Sequence, residues 1–139
     1  MDTKKFVLGT LAGGVAYFIL GYVVYAILLE GFYAGHSVPG IMKTEEQMKY
    51  YPLALGNFAH AALLAYVFLK WANIKSFSAG LQGGAIIGFF MAAGHNLISY
   101  DTIRFMSAVG AVTDIFVYAA MSAVVGGIVG AVLGMGNKN

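Results

Sequence analysis

The sequence predicts an all-α membrane protein, with four transmembrane helices in an antiparallel bundle and a short amphipathic outer loop helix. Three observations predict it. Only 10% of the 139 residues are charged and 60% are hydrophobic, whereas about a quarter of a soluble domain is charged. Four apolar runs, at about 6–29, 52–72, 78–99 and 105–134, reach or exceed the roughly 20 residues that a helix needs to cross the hydrocarbon. None of the runs alternates as a barrel strand does, and so few strands could not close a barrel to satisfy their backbone in lipid.

The whole chain, 1–139, reads as a single four-helix domain. Its first run follows Lys4 and Lys5, as a signal peptide would. The run is far longer than the roughly 7–15 residues of a secretory apolar core, so it reads as a retained span. The second run opens at Pro52 and closes at the basic, aromatic pair Lys70–Trp71. NIKSF then turns into the third run, and YDTIR into the fourth. Connections this short make consecutive spans antiparallel neighbours. The first loop, 30–51, is longer. In it TEEQMKYY carries Thr44 and Gln47 at capping-box spacing and Glu45 and Lys49 four apart, which predicts the short outer helix. His36 in this loop is expected to be solvated.

Four spans put both termini on one side. Lys4, Lys5, Lys70, Lys75 and Lys138 lie there, against Lys43, Lys49 and Arg104 opposite. The positive-inside bias places both termini in the cytoplasm of a bacterial inner membrane. Asp101 and Arg104, three apart in the last loop, read as a local surface pair.

The composition also excludes classes of function. There are no cysteines and the net charge is only +2, so no disulfide framework, thiolate metal site or nucleic-acid partner is expected. No catalytic motif appears: Ser99 lies four residues from His95 but has no nucleophile elbow around it. No cofactor is expected either.

Glycine is placed regularly. Gly80, Gly84 and Gly88 repeat every four residues, as do Gly126, Gly130 and Gly134, and Gly9 and Gly13 begin the same pattern. In lipid such stripes let helix backbones approach closely.

Ionisable groups inside spans are costly and usually face the bundle interior. This chain has His60, His95 and Asp114, with the amides Asn57 and Asn96 and the phenol Tyr118 nearby. Counted at about 1.5 Å per residue, His60 and Asp114 lie about 12–13 Å from the outer end of their spans, and His95 about 6–8 Å. Asn57 with His60, and Asp114 with Tyr118, share helix faces. His95 is nearly three turns from Gly84, which points it inward and turns Asn96 aside by about 100°. The six residues form the expected site for a proton or small polar solute, with Asp114 as its charged or proton-accepting member. Interhelical hydrogen bonding is the plainer role for the same groups. His60, His95 and Asp114 are also weak candidates for a metal site, because no two ligands share a helix at ligand spacing. A direct His60–Asp114 pair is expected to keep the imidazole charged at neutral pH.

The stretches LAGGVAYFILGYVVYAILLEGFY, GAIIGFFMAAGHNLISYDT and VTDIFVYAAMSAVVGGIVG together resemble small four-span bacterial membrane proteins classed as a domain-of-unknown-function family. The resemblance spans nearly the whole chain. It implies the same four-helix fold and an Asp at the Asp114 position. Its pattern has Tyr-Asp where this chain has His95–Asn96, a departure at the site itself. The resemblance implies no activity. The expected function is binding or passage of a small polar species at an outward-facing intramembrane site. The alternative is an accessory subunit that docks onto a larger membrane complex through its glycine faces. Partners are then the lipid bilayer and either further copies of the chain or that complex.

Overall fold

The computed structural model describes residues 2–136. Lys138, counted above toward the terminal side, lies outside them. Four stretches are long and apolar enough to cross a membrane: Thr3–Leu28, Tyr51–Ala72, Phe77–Thr102 and Ala108–Gly134.

Helix α1 (Thr3–Gly21) starts where the Asp2 carboxylate accepts from the Lys5 N–H at 3.2 Å, an N-cap that satisfies one of the free amides of the first turn. It continues as a π-helical stretch, Tyr22–Leu28. A short helix, α2 (Glu30–His36), then turns back against the bundle. The stretch expected to form the outer loop helix holds only a 3-10 turn, Glu45–Gln47. There the Gln47 side chain accepts from the Thr44 N–H at 3.0 Å, as a capping box requires. Glu45 and Lys49 lie on either side of the point where this turn ends, so they do not share a helix face.

Helix α3 (Tyr51–Val67) carries Pro52 in its first turn, where a missing N–H costs nothing. It passes into a π stretch, Phe68–Ala72, and stops at Asn73 in the left-handed region, φ 51°. Helices α4 (Phe77–Thr102) and α5 (Ala108–Gly134) are capped by Ser76 and Ser107, whose hydroxyls accept from Ala79 N at 3.2 Å and Gly110 N at 3.1 Å. The fourth span thus begins three residues later than the apolar run. Phe105 and Met106 belong instead to an extended segment tied to the end of α2. Val38 N donates to Phe105 O at 3.0 Å and Ser107 N to His36 O at 2.7 Å, with Ser37 bridging Met106.

The closest packing is between α4 and α5. A Cβ on Gly80 would strike the carbonyl of Gly126, one on Gly84 the carbonyl of Ser122, and one on Gly130 the carbonyl of Ser76. Backbone therefore lies on backbone, and only glycine fits. Contacts climb α4 as they descend α5, so the two helices run in opposite directions. The same holds for α1 against α3, where Gly9 meets Ala65 and Gly13 meets Ala61. Gly13 also meets Val129 of α5. The core between these helices is made by Tyr17, Leu64, Phe68, Val125, Val129 and Leu133, all buried.

Helix α1 packs on α3 and α5, and α5 packs on α4, while α3 and α4 share no substantial contact; the short NIKSF connection therefore does not make the second and third spans packed neighbours as expected, because α5 lies between them. A groove is left between α3 and α4, floored by α5. The outward faces of the long helices carry exposed Leu11, Ile19, Leu55, Phe90, Val109 and Phe116. Apolar surface this extensive suits a hydrocarbon surrounding rather than water.

Candidate functional site

The polar groups of α3, α4 and α5 meet in that groove. A cavity of about 240 Å³ is lined by His60, Met91, Ala92, His95, Asn96, Asp114 and Tyr118. Five of the six residues expected at the site line it. The sixth, Asn57, does not: its amide donates to Leu53 O of its own helix at 2.9 Å.

Asp114 is the best-connected group. Its Oδ1 accepts from the Tyr25 hydroxyl at 2.8 Å and from the Tyr33 hydroxyl at 2.7 Å. Its Oδ2 accepts from Asn96 Nδ2 at 2.8 Å. Asn96 spends its second amide hydrogen on Ala92 O at 3.0 Å. The π-helical end of α1, the short α2, and α4 thus each supply one donor to a carboxylate on α5. All three donors are neutral side chains. The rings of Tyr25 and Tyr33 lie 5.1 Å apart, and together they close the carboxylate off on the α2 side. Burial, followed by the hydrogen bond and charge of Asp114, pushes the Tyr33 hydroxyl well above the ordinary tyrosine range, so it stays a donor.

One turn further along α5, Tyr118 shares a short hydrogen bond with His60 Nδ1. Tyr118 stacks on Tyr17 at 5.9 Å, and His60 meets the Tyr17 ring edge-on at 6.0 Å. Tyr17 is itself fixed by a 2.7 Å bond to the fully buried Ser122. This second cluster anchors α3 to α1 and α5.

Several expectations are corrected here. His60 and Asp114 are not a direct pair: Tyr118, on the same face of α5 as Asp114, takes the imidazole, and two phenols and an amide take the carboxylate. His60, His95 and Asp114 do not gather into a group that could hold a metal ion among the described residues. Asn96, not His95, occupies the buried face. Gly80, Gly84, Gly88, Ala92 and Asn96 are all buried, while His95 is exposed at the cavity edge. The reason is geometric. The α4–α5 contact follows a row of residues four apart, and such a row is inclined about 26° to the helix axis. The buried face therefore winds around α4, and counting straight turns from Gly84 selects the wrong neighbour. Asp101 ends in the last turn of α4 and forms no ion pair with Arg104. His36, expected to be solvated, is partly exposed at the end of α2, with Nδ1 on Phe32 O at 2.8 Å and its ring 4.2 Å from that of Phe32.

Sequence reading missed Tyr25, Tyr33, Tyr17 and Ser122. The signal available was a carboxylate inside an apolar helix, which needs donors. Tyrosines inside or just after the first span are the neutral side chains able to reach it. A second opening, about 580 Å³, lies among His36, Tyr100, Arg104 and Ser107 at the loop end, and none of the intramembrane polar groups lines it. No protein-family model, curated protein or solved structure matches the chain.

Proposed function

We propose that the chain is a multi-pass protein of a bacterial inner membrane, an antiparallel four-helix bundle with both termini cytoplasmic. We propose further that it binds or passes a proton or small polar solute at His60, His95, Asn96, Asp114 and Tyr118. The observation that carries this reading is the cavity itself. Polar side chains on three helices line one shared space, and although Asp114, Asn96, His60 and Tyr118 bond to neighbouring side chains, His95 lines the same space with no hydrogen bond among the described residues, which interhelical glue alone does not explain. Asp114 is the charged or proton-accepting member, Asn96, Tyr25 and Tyr33 fix it, and the histidines are the groups left to meet a ligand. The resemblance to small four-span bacterial membrane proteins is consistent with the bundle and silent about the ligand.

An accessory subunit that docks through glycine faces would need a glycine stripe left over on its surface. The stripes of α4 and α5 are used against each other, and Gly9 and Gly13 against α3 and α5, which favours the site reading. The test is flux in liposomes of purified protein, under proton and small-cation gradients, with Asp114→Asn as comparison. The reading requires flux in the parent protein that the variant loses; equal or absent flux in both removes it.

A further inference from the structure

Among the site's polar groups, the two histidines have ring nitrogens to spare, and Asn96, whose two bonds are both donated by Nδ2, keeps its Oδ1. His60 uses Nδ1 on Tyr118 and has no partner at Nε2, and His95 has none at either ring nitrogen among the described residues. Both imidazoles are exposed at the mouth of the groove between α3 and α4. Their depth identifies what lies outside that mouth. His60 is nine residues from the start of α3 and His95 seven from the end of α4, or about 13 and 10 Å along the helices. With α3 and α4 as membrane spans, both imidazoles stand at the depth of hydrocarbon. From the α2 end, Tyr25 and Tyr33 already cover Asp114. A ring nitrogen at that depth is costly to leave unpaired, so a polar group carried in the bilayer gains by binding there.

The size and lining narrow its chemistry. At about 240 Å³ the cavity is smaller than the roughly 300–1,000 Å³ of sites that engulf a drug-sized molecule. It holds one ring, and the rest of the molecule stays outside the mouth. Three donors already engage the Asp114 carboxyl, so the histidines rather than Asp114 are the groups that meet the ligand. A neutral ring with carbonyl or hydroxyl oxygens on opposite edges suits two imidazoles that line one cavity from α3 and α4, because each free nitrogen can donate or accept. We infer that the groove between α3 and α4 is a side-entry site for a membrane-dissolved amphipath of the quinone or quinol class. Its ring sits between His60 and His95, and its apolar tail lies in lipid. This inference rests on the site reading above and specifies its ligand.

The test is equilibrium binding of tritiated decylubiquinone to the full chain in lipid nanodiscs. The parent protein should bind it saturably. His60→Ala and His95→Ala should each weaken binding by about tenfold, with melting temperatures measured alongside to show that both variants are folded. The same benzoquinone ring without its alkyl tail, at matched mole fraction in the bilayer, should bind more weakly. The inference is overturned by the absence of saturable binding, by binding that both folded variants retain, or by equal binding of the tailless ring. If it falls while Asp114-dependent flux persists, the site reading survives without it; if both are absent, both fall.

Discussion

Asn96 of α4 donates to Asp114 of α5 at 2.8 Å, across the helix pair with the closest backbone packing in the molecule. The bond places a carboxylamide on the buried face of α4, at the end of the row Gly80, Gly84, Gly88 and Ala92. Close packing and site are therefore one construction: the glycines bring α4 and α5 near enough for a short side chain to span them. Asn96→Leu keeps the volume and removes both donated hydrogens. It should destabilise the fold by about 1–2 kcal/mol, measured by reversible unfolding in mixed detergent.

The glycines themselves make a paired prediction. Gly84→Ala drives a methyl into the Ser122 carbonyl and should cost about 1–3 kcal/mol by forcing the helices apart. Gly56→Ala meets nothing within 4 Å and should be neutral or stabilising by up to about 1 kcal/mol, from helix propensity alone. Thermal melts of the two variants side by side decide the matter.

Tyr25 and Tyr33 serve the same oxygen of Asp114, so their contributions should not add. When one phenol is removed, the other can recentre on Oδ1. In a double-mutant cycle of Tyr25→Phe and Tyr33→Phe, the double variant should lose more than the sum of the singles, by about 0.5 kcal/mol or more. Strict additivity would show that the two hydroxyls act independently.

How much of this was legible in the sequence follows from the kind of signal each feature leaves. The four long helices are marked by apolar length, which any window detects, and Asp114 stands out as the only carboxylate deep in an apolar run. The partners of Asp114 were not legible, because Tyr33 arrives by the fold-back of α2 and that contact depends on Val38 and Ser107 binding the neighbouring backbone. Asn96 was misassigned in favour of His95 because a straight helical count ignores the inclination of a packed row. The outer loop helix was expected from capping-box spacing, and that spacing is met equally well by a three-residue 3-10 turn.

Tyr33 also gives a pH dependence of known sign. It lies in α2, outside the four long helices, and its hydroxyl is held above the ordinary tyrosine value of 10.0, by burial first and then by Asp114. The unfolded chain ionises this phenol near the ordinary value while the folded chain keeps it protonated. The stability it contributes is therefore intact below that value and is lost as pH rises past it. Tyr33→Phe should flatten the alkaline decline in stability and leave the neutral-to-mildly-acid region unchanged in slope.

We propose that the polar residues in the groove form a site and do more than hold helices together. His95 separates the two roles, because it lines the cavity and makes no hydrogen bond within the described chain. The most direct measurement is flux and melting temperature taken together on His95→Ala in the same liposome preparation. If the groove is a site, His95→Ala leaves the melting temperature unchanged and reduces flux by about tenfold or more, the effect of losing one positioned polar group. A lowered melting temperature with flux intact would contradict it and make His95 a structural residue.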